Sequence, residues 1–132
     1  CSHQKLVYGA KHPLSESPNP KFTDFKDDLF WCVKDRNSIA HTRNQEKIFA
    51  YYGIENWHQT EAPNIDTALL NVRLGKGCIF LDPLTHYLNN ECYRTLELPE
   101  DISAVEIVLA WDKANLNPAI PLFVNQFVCP ID

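Results

Sequence analysis

A run of five polar residues is the part of this sequence best suited to holding an anion. We call it the basic cluster, and it consists of Lys34, Asp35, Arg36, Asn37 and Ser38. It precedes a predicted helix, whose first backbone N–H groups are unsatisfied and attract carboxylates and phosphates. Basic side chains are unfavourable beside the partial positive charge of a helix start. A bound anion would neutralise this repulsion, and Arg36 could donate two hydrogen bonds to it. The alternative is that these long side chains extend into solvent and bind nothing.

A second set of candidate ligand residues lies at another helix start and at the end of the strand that follows it: Asn64, Ile65, Thr67, Phe80 and Asp82. The backbone N–H groups of Ile65 and Asp66, with the Thr67 hydroxyl, suit a polar ligand head. Asn64 is also typical of a residue that only caps a helix, which is the structural alternative. Ligands of open α/β sheets bind outside the carboxyl ends of strands, so Phe80 and Asp82 are expected to complete the wall of the site.

Cysteine and histidine are the residues that would support nucleophilic catalysis or metal binding. Cys78 or Cys92 would need a base such as His58 or His86, but no helix start or basic pair is directed at either thiol. The cysteines and histidines show no Cys-x-x-Cys or His-x-x-x-His spacing. We therefore predict no catalytic residue, no metal and no cofactor. A small Cys/His hydrolase remains the enzyme alternative.

The composition indicates one small globular domain. With 132 residues, 45% hydrophobic and 22% charged, the chain is long enough to bury a single core. A net charge of −5 argues against a nucleic-acid surface, which carries a basic stripe. No apolar run reaches the roughly 20 residues that span a bilayer, and no secretion signal opens the chain. The five cysteines do not have the spacing typical of disulfide pairs, which indicates a reducing compartment and so predicts a cytoplasmic protein. Because the sequence begins with Cys1 rather than methionine, we expect a piece of a longer protein.

The elements that must position the candidate residues alternate between strand and helix. Apolar or alternating runs predict strands at residues 5–10, 29–33, 56–61, 79–81, 93–98 and 104–111. Apolar faces with capping or terminating residues predict helices at 38–52, 64–74, 84–89 and 118–127, with a single helical turn at 23–28. This alternation predicts an α/β fold, a three-layer sandwich with a mostly parallel sheet.

Several side chains are expected in the core because they lie in apolar runs or on apolar helix faces. They include Trp31, Trp111, Leu74, Ile120, Phe123 and Phe127. His12, beside Pro13, is interpreted as part of a polar loop.

Three segments, in order, resemble the effector-binding domain of LysR-type transcriptional regulators. The first is Leu6-Val7-Tyr8 followed by His12-Pro13-Leu14-Ser15, similar to the family's strand and His-Pro-Leu-Ala. The second is residues 68–83, similar to the family's apolar helix, Gly-x-Gly-Ile turn and strand that ends in Leu-Pro. The third is Ala110-Trp111-Asp112-Lys113 with Asn117-Pro118-Ala119 and Phe123. Together they cover nearly the whole chain, and Asp82 departs from the family's usual apolar residue.

The resemblance implies one lobe, with its return segment, of a two-lobed fold like that of type 2 periplasmic binding proteins. Residues 11–103 would form the second lobe, and 1–10 and 104–132 would be crossover segments towards the first lobe. The implied function is inducer sensing: a small polar or anionic metabolite binds and modulates transcription. The implied partners are other copies of the regulator, as a dimer or tetramer, and DNA only through a domain absent from this chain. A lobe of a solute-binding transport protein is the alternative that shares this fold.

Overall fold

The computed structural model describes residues 2–34, 39–82, 91–105 and 110–127. Its strands are β1 (Ser2–His3), β2 (Lys5–Gly9), β3 (Leu29–Val33), β4 (His58–Ala62), β5 (Cys78–Leu81), β6 (Tyr93–Glu97) and β7 (Ala104–Val105). Its α-helices are α1 (Ile39–Tyr51), α2 (Ile65–Arg73), α3 (Glu100–Ser103) and α4 (Ala119–Phe127). Two short 3-10 helices, Pro13–Glu16 and Phe22–Phe25, lie between β2 and β3.

Five strands form one mixed sheet in the order β4-β3-β5-β2-β6. β3 is parallel to β4 and β5, whereas β2 is antiparallel to β5 and β6. Within this sheet β2 therefore runs against the other four strands. The predicted α/β class and the shared direction of most strands are confirmed. Because β2 ends at the edge where β3 begins, residues 10–28 connect the two strands without the crossover helix that a parallel pair requires.

Helices cover both faces of the sheet, which gives the predicted three layers. On one face, Leu6, Phe30 and Phe80 pack with Ile48 and Phe49 of α1. On the other face, the sheet packs against one side of α2, through a cluster that includes Val7, Ile79, Ala68, Leu69 and Val72. Alternate residues of a strand point to opposite faces, so a fully buried strand such as β5 contributes to both cores.

Most element predictions are confirmed, with shifted ends. β4 begins at His58, not at residue 56, and residues 100–103 form a helical turn where a plain turn was expected. The predicted helix at 84–89 and residues 106–109 of the predicted strand at 104–111 lie outside the described residues. Of the described part of that strand, residues 104 and 105 form β7, which pairs with β1 in a separate two-stranded ribbon, whereas residues 110 and 111 are not in a strand.

Strand β2 lies inside the five-stranded sheet. Residues 1–10 were expected to form a crossover segment, and within them Lys5–Gly9 is the fourth strand in the sheet order and hydrogen-bonds on both sides. Strands β1 and β7 form a separate two-stranded ribbon. The division of the chain into a second lobe and crossover segments stays a prediction.

Three predicted core residues are exposed. Trp111 is 51% exposed, Phe123 53% and Leu74 47%. Leu74 is the residue that caps the end of α2, beyond the buried stripe of that helix. Trp111 and Phe123 line an apolar pocket of about 310 Å³ beside α4. An apolar pattern predicts a face to be buried but not the surface that buries it.

The edge of the sheet where β3 and β5 begin is closed by tight backbone contacts, and we call it the packed edge. Gly77 has φ +95°, and a Cβ added there would lie 2.1 Å from the carbonyl oxygen of Leu29. His12 lies in a loop, as interpreted, and its side chain is buried at this edge. Its Nδ1 accepts from the backbone N–H of Leu14 at 3.0 Å, so the ring proton is on Nε2, which donates to Asp28 Oδ2 at 2.6 Å.

Candidate functional site

The opposite edge of the sheet, which we call the carboxyl edge, brings together residues that follow three parallel strands. Lys34, Pro63 and Asp82 come directly after β3, β4 and β5. β2 begins at this edge, because Lys5 pairs with Leu81 in antiparallel register. Extending the β2–β5 register places Gln4 opposite Asp82. Extending the β3–β5 register places Lys34 beside Asp82 on its other side. A cation, a carboxylate and an amide are thus neighbours along one edge.

The basic cluster is only partly described. Lys34 is exposed at the end of β3, and it pairs with no carboxylate among the described residues. Asp35, Arg36, Asn37 and Ser38 lie outside the described residues. The helix expected after the cluster is present as α1, which begins at Ile39. Anion binding at this helix start therefore stays a prediction.

Asn64 caps α2 as the sequence predicts. Its Oδ1 accepts from the backbone N–H of Thr67 at 2.8 Å, and its backbone is extended, as is usual at this position. The cap occupies the Thr67 N–H and leaves the Thr67 hydroxyl and the N–H of Ile65 for other partners. Because α2 covers the face of the sheet opposite to α1, these two helices lie on different faces of the sheet.

Phe80 and Asp82 have separate surroundings although they are two residues apart. Phe80 is buried in an aromatic cluster and stacks on Phe30 at 5.7 Å between ring centroids. The structure therefore places it in the core and not on the surface of the edge. Asp82 is half-buried, and its Oδ1 accepts from Gln4 Nε2 at 3.2 Å. Of the two, Asp82 is the residue that a ligand at the edge can reach.

Gln4 is the residue of this edge that the sequence analysis missed. It is 2% exposed, and its backbone N–H donates to the carbonyl of Ser103 at 2.8 Å, next to the ribbon of β1 and β7. Its Oε1 is buried without a hydrogen-bond partner among the described residues. The available signal was an amide directly before a buried strand, but its significance depends on Asp82, which lies 78 residues away in sequence.

Two of the described cysteines, Cys32 and Cys78, do not have the surroundings of nucleophiles. Cys78 is fully buried, and desolvation raises the pKa of its thiol well above the ordinary value of 9.0. Burial also raises the pKa of Cys32. A nucleophilic cysteine requires the opposite shift, because the thiolate is the reactive form. Among the described residues, no group of three His, Cys, Asp or Glu side chains is placed to hold a metal ion.

Comparisons with known proteins bear on the fold. No protein-family model matches the sequence, and no curated protein sequence matches it. Among solved structures, the chain is similar to the effector-binding domain of a variant of BenM, a LysR-type regulator. The TM-score is 0.55 and the sequence identity 18%, over 74% of this chain and 46% of the other. The chain thus spans less than half the length of the chain that it resembles.

That similarity agrees with the mixed five-stranded sheet and its helices. In the part of the chain that the structure describes, no helix is long and apolar enough to cross a membrane. The chain therefore has the α/β fold of a lobe from the effector-binding domain of a LysR-type regulator.

Proposed function

We propose that this chain is the inducer-sensing portion of a LysR-type transcriptional regulator and that it binds a small polar or anionic metabolite at the carboxyl edge. The observation that carries the proposal is the similarity in fold to the BenM effector-binding domain. The position of the polar residues supports it, because open α/β sheets bind ligands outside the carboxyl ends of their strands. The proposed ligand residues are those of the basic cluster with Asn64, Ile65, Thr67 and Asp82.

Sensing would operate through a shift between two arrangements of the lobes of the complete effector domain. A ligand shifts such an equilibrium only by its difference in affinity for the two arrangements. The two-stranded ribbon of β1 and β7 suits the crossing between lobes, since it is separate from the five-stranded sheet. In the regulator, the shift would alter the geometry of a dimer or tetramer, and a separate domain would contact DNA. No chemical conversion of the ligand is involved.

A thermal-shift screen of this chain against small carboxylates, phosphates, sugars and amino acids tests the proposal. A ligand at about a hundred times its Kd adds roughly 2.7 kcal/mol to the free energy of unfolding. Lys34→Ala and Arg36→Ala should weaken stabilisation by an anionic ligand. Lys47→Ala removes the same charge from an exposed position further along α1 and should leave it unchanged.

Two outcomes would contradict the proposal. If no class of compound stabilises the chain, the chain does not sense a ligand of these classes. Rapid alkylation of one native cysteine by iodoacetamide near neutral pH would instead favour the hydrolase alternative. The raised pKa of Cys78 leads us to expect slow labelling of that residue until the protein unfolds.

A further inference from the structure

The side chain of Gln4 carries a buried hydrogen-bond acceptor that no described residue satisfies. Its Nε2 donates to Asp82, whereas its Oε1 has no partner in the described part of the chain. Turning the amide over would direct Oε1 at the Asp82 carboxylate and place two acceptors against each other, so the orientation is determined by Asp82. Buried polar groups without partners are rare in proteins and mark places where a water or a ligand completes the site.

The neighbouring groups show what kind of ligand atom would complete it. Gln4 Oε1 and the Asp82 carboxylate are both acceptors, and the second carries a negative charge. An ammonium group has N–H donors enough for both and is attracted by the charge. On the other side of Asp82, strand β3 is followed by Lys34, which is exposed and pairs with no carboxylate in the described part of the chain. Neighbouring strands lie about 4.8 Å apart, a separation that a short molecule can bridge.

We propose that the effector is an aminocarboxylate, whose ammonium group binds Gln4 Oε1 and Asp82 and whose carboxylate is directed to Lys34 and the start of α1. This inference rests on the proposed sensing function and narrows its ligand class. A ligand with only negative charge would meet the Asp82 carboxylate at the same edge. A zwitterion satisfies both signs of charge. Because the Gln4 backbone also binds Ser103, an ammonium at this position acts directly beside the ribbon of β1 and β7.

Three compounds with the same carbon skeleton test the inference by calorimetric titration of the full chain: β-alanine, 3-hydroxypropionate and propionate. β-Alanine should bind roughly tenfold or more tightly than propionate, the range expected of a charge-assisted hydrogen bond. Asp82→Asn should remove that preference while leaving propionate binding equal or tighter. Gln4→Met, which removes the acceptor at similar volume, should reduce the preference, and Gln4→Glu should retain it.

Asp27→Asn serves as the matched control, because Asp27 is an exposed acid two residues before β3, at the packed edge. It should leave the preference for β-alanine unchanged. Equal binding of β-alanine and propionate, in the native chain and in both Gln4 variants, would overturn the inference and assign Oε1 to an ordered water, while carboxylate sensing would stand. Binding of 3-hydroxypropionate as tight as that of β-alanine would also overturn it, because the subsite would then recognise a hydroxyl. Absence of binding by all three, together with no stabilisation by any compound of the wider screen, would overturn both proposals.

Discussion

The two edges of the five-stranded sheet differ in how their polar groups are satisfied. At the packed edge, backbone atoms of the Gly77 turn touch the chain at Leu29, and the buried His12 has a partner on each ring nitrogen. At the carboxyl edge, Gln4 has a buried oxygen that no described residue satisfies, and the Lys34 side chain is exposed. The first edge is completed by the fold itself, whereas the second has hydrogen-bonding capacity left for a partner.

This difference separates residues that maintain stability from residues that are available for recognition. A change at the packed edge removes contacts that the folded chain already makes, so the free energy of unfolding should fall. A change at the carboxyl edge should alter stability less and ligand binding more. Five measurements, ordered by expected effect, test whether the two edges divide in this way.

The largest loss is expected for Gly77→Ala. The new Cβ would lie 2.1 Å from the Leu29 carbonyl oxygen, and the residue would have to keep a φ of +95°. We expect a loss of about 3 kcal/mol or more in the free energy of unfolding, measured by urea denaturation. Gly53→Ala is the control: its φ is +69°, but no atom lies within 4 Å of the added Cβ, so only about 1 kcal/mol of backbone strain is expected. Equal losses would show that contact at the packed edge is unimportant.

His12→Ala should follow. The change leaves the Leu14 N–H and the Asp28 carboxylate without their partner at a buried position, which costs about 2 kcal/mol. Asp28→Asn keeps an oxygen acceptor for His12 Nε2 and should cost less than half as much. Urea denaturation of both variants provides the measurement. A His12→Ala variant no less stable than Asp28→Asn would show that the pair does not hold this edge together.

Alkaline pH should weaken the packed edge through Cys78, which begins β5 next to Gly77. Burial raises the pKa of its thiol well above 9.0, so above pH 9 the unfolded chain releases this proton while the folded chain keeps it. The folded state then binds more protons, and stability falls as pH rises, by up to about 1.4 kcal/mol per pH unit. Unfolding curves between pH 8 and 10 should be less steeply pH-dependent in Cys78→Ala. An identical pH dependence in the two proteins would contradict this.

At the carboxyl edge, Asn64→Ala should cost about 1 kcal/mol because it removes the cap of α2. Asn64→Asp retains a capping oxygen and should be nearly neutral. Urea denaturation measures the stability of each variant, and binding of the ligand found in the screen is measured separately. If Asn64 only caps the helix, both variants should bind that ligand equally once the unfolded fraction is subtracted. Weaker binding by both would place Asn64 among the ligand contacts.

Lys34→Ala is expected to have the smallest effect on stability, within about 0.5 kcal/mol, because the side chain is exposed and pairs with no described carboxylate. Its effect should appear in binding, as weaker stabilisation by carboxylates in the thermal-shift assay. This variant offers the sharpest contrast with Gly77→Ala. A large loss of stability with unchanged binding would reverse the roles assigned to the two edges.

Local pattern predicted the parts of the fold that depend on near neighbours in sequence. The apolar run at Leu29–Val33 forms β3 with the predicted ends, and Asn64 caps α2 through a hydrogen bond spanning three residues. The candidate site was predicted less well. Phe80 belongs to an apolar strand, and its side chain packs in the core. The importance of Gln4 depends on its hydrogen-bond partner Asp82, which is distant in sequence.

The sequence by itself thus determined the order and most positions of strands and helices, since periodicity and capping act within a few residues. Tertiary structure decided the strand order, which brings Gln4 to Asp82 and His12 to Asp28. It also decided that Trp111 and Phe123 remain exposed despite their apolar surroundings in sequence. The physical reason is that burial and hydrogen-bond satisfaction depend on which distant segments pack together, and periodicity does not specify that partner.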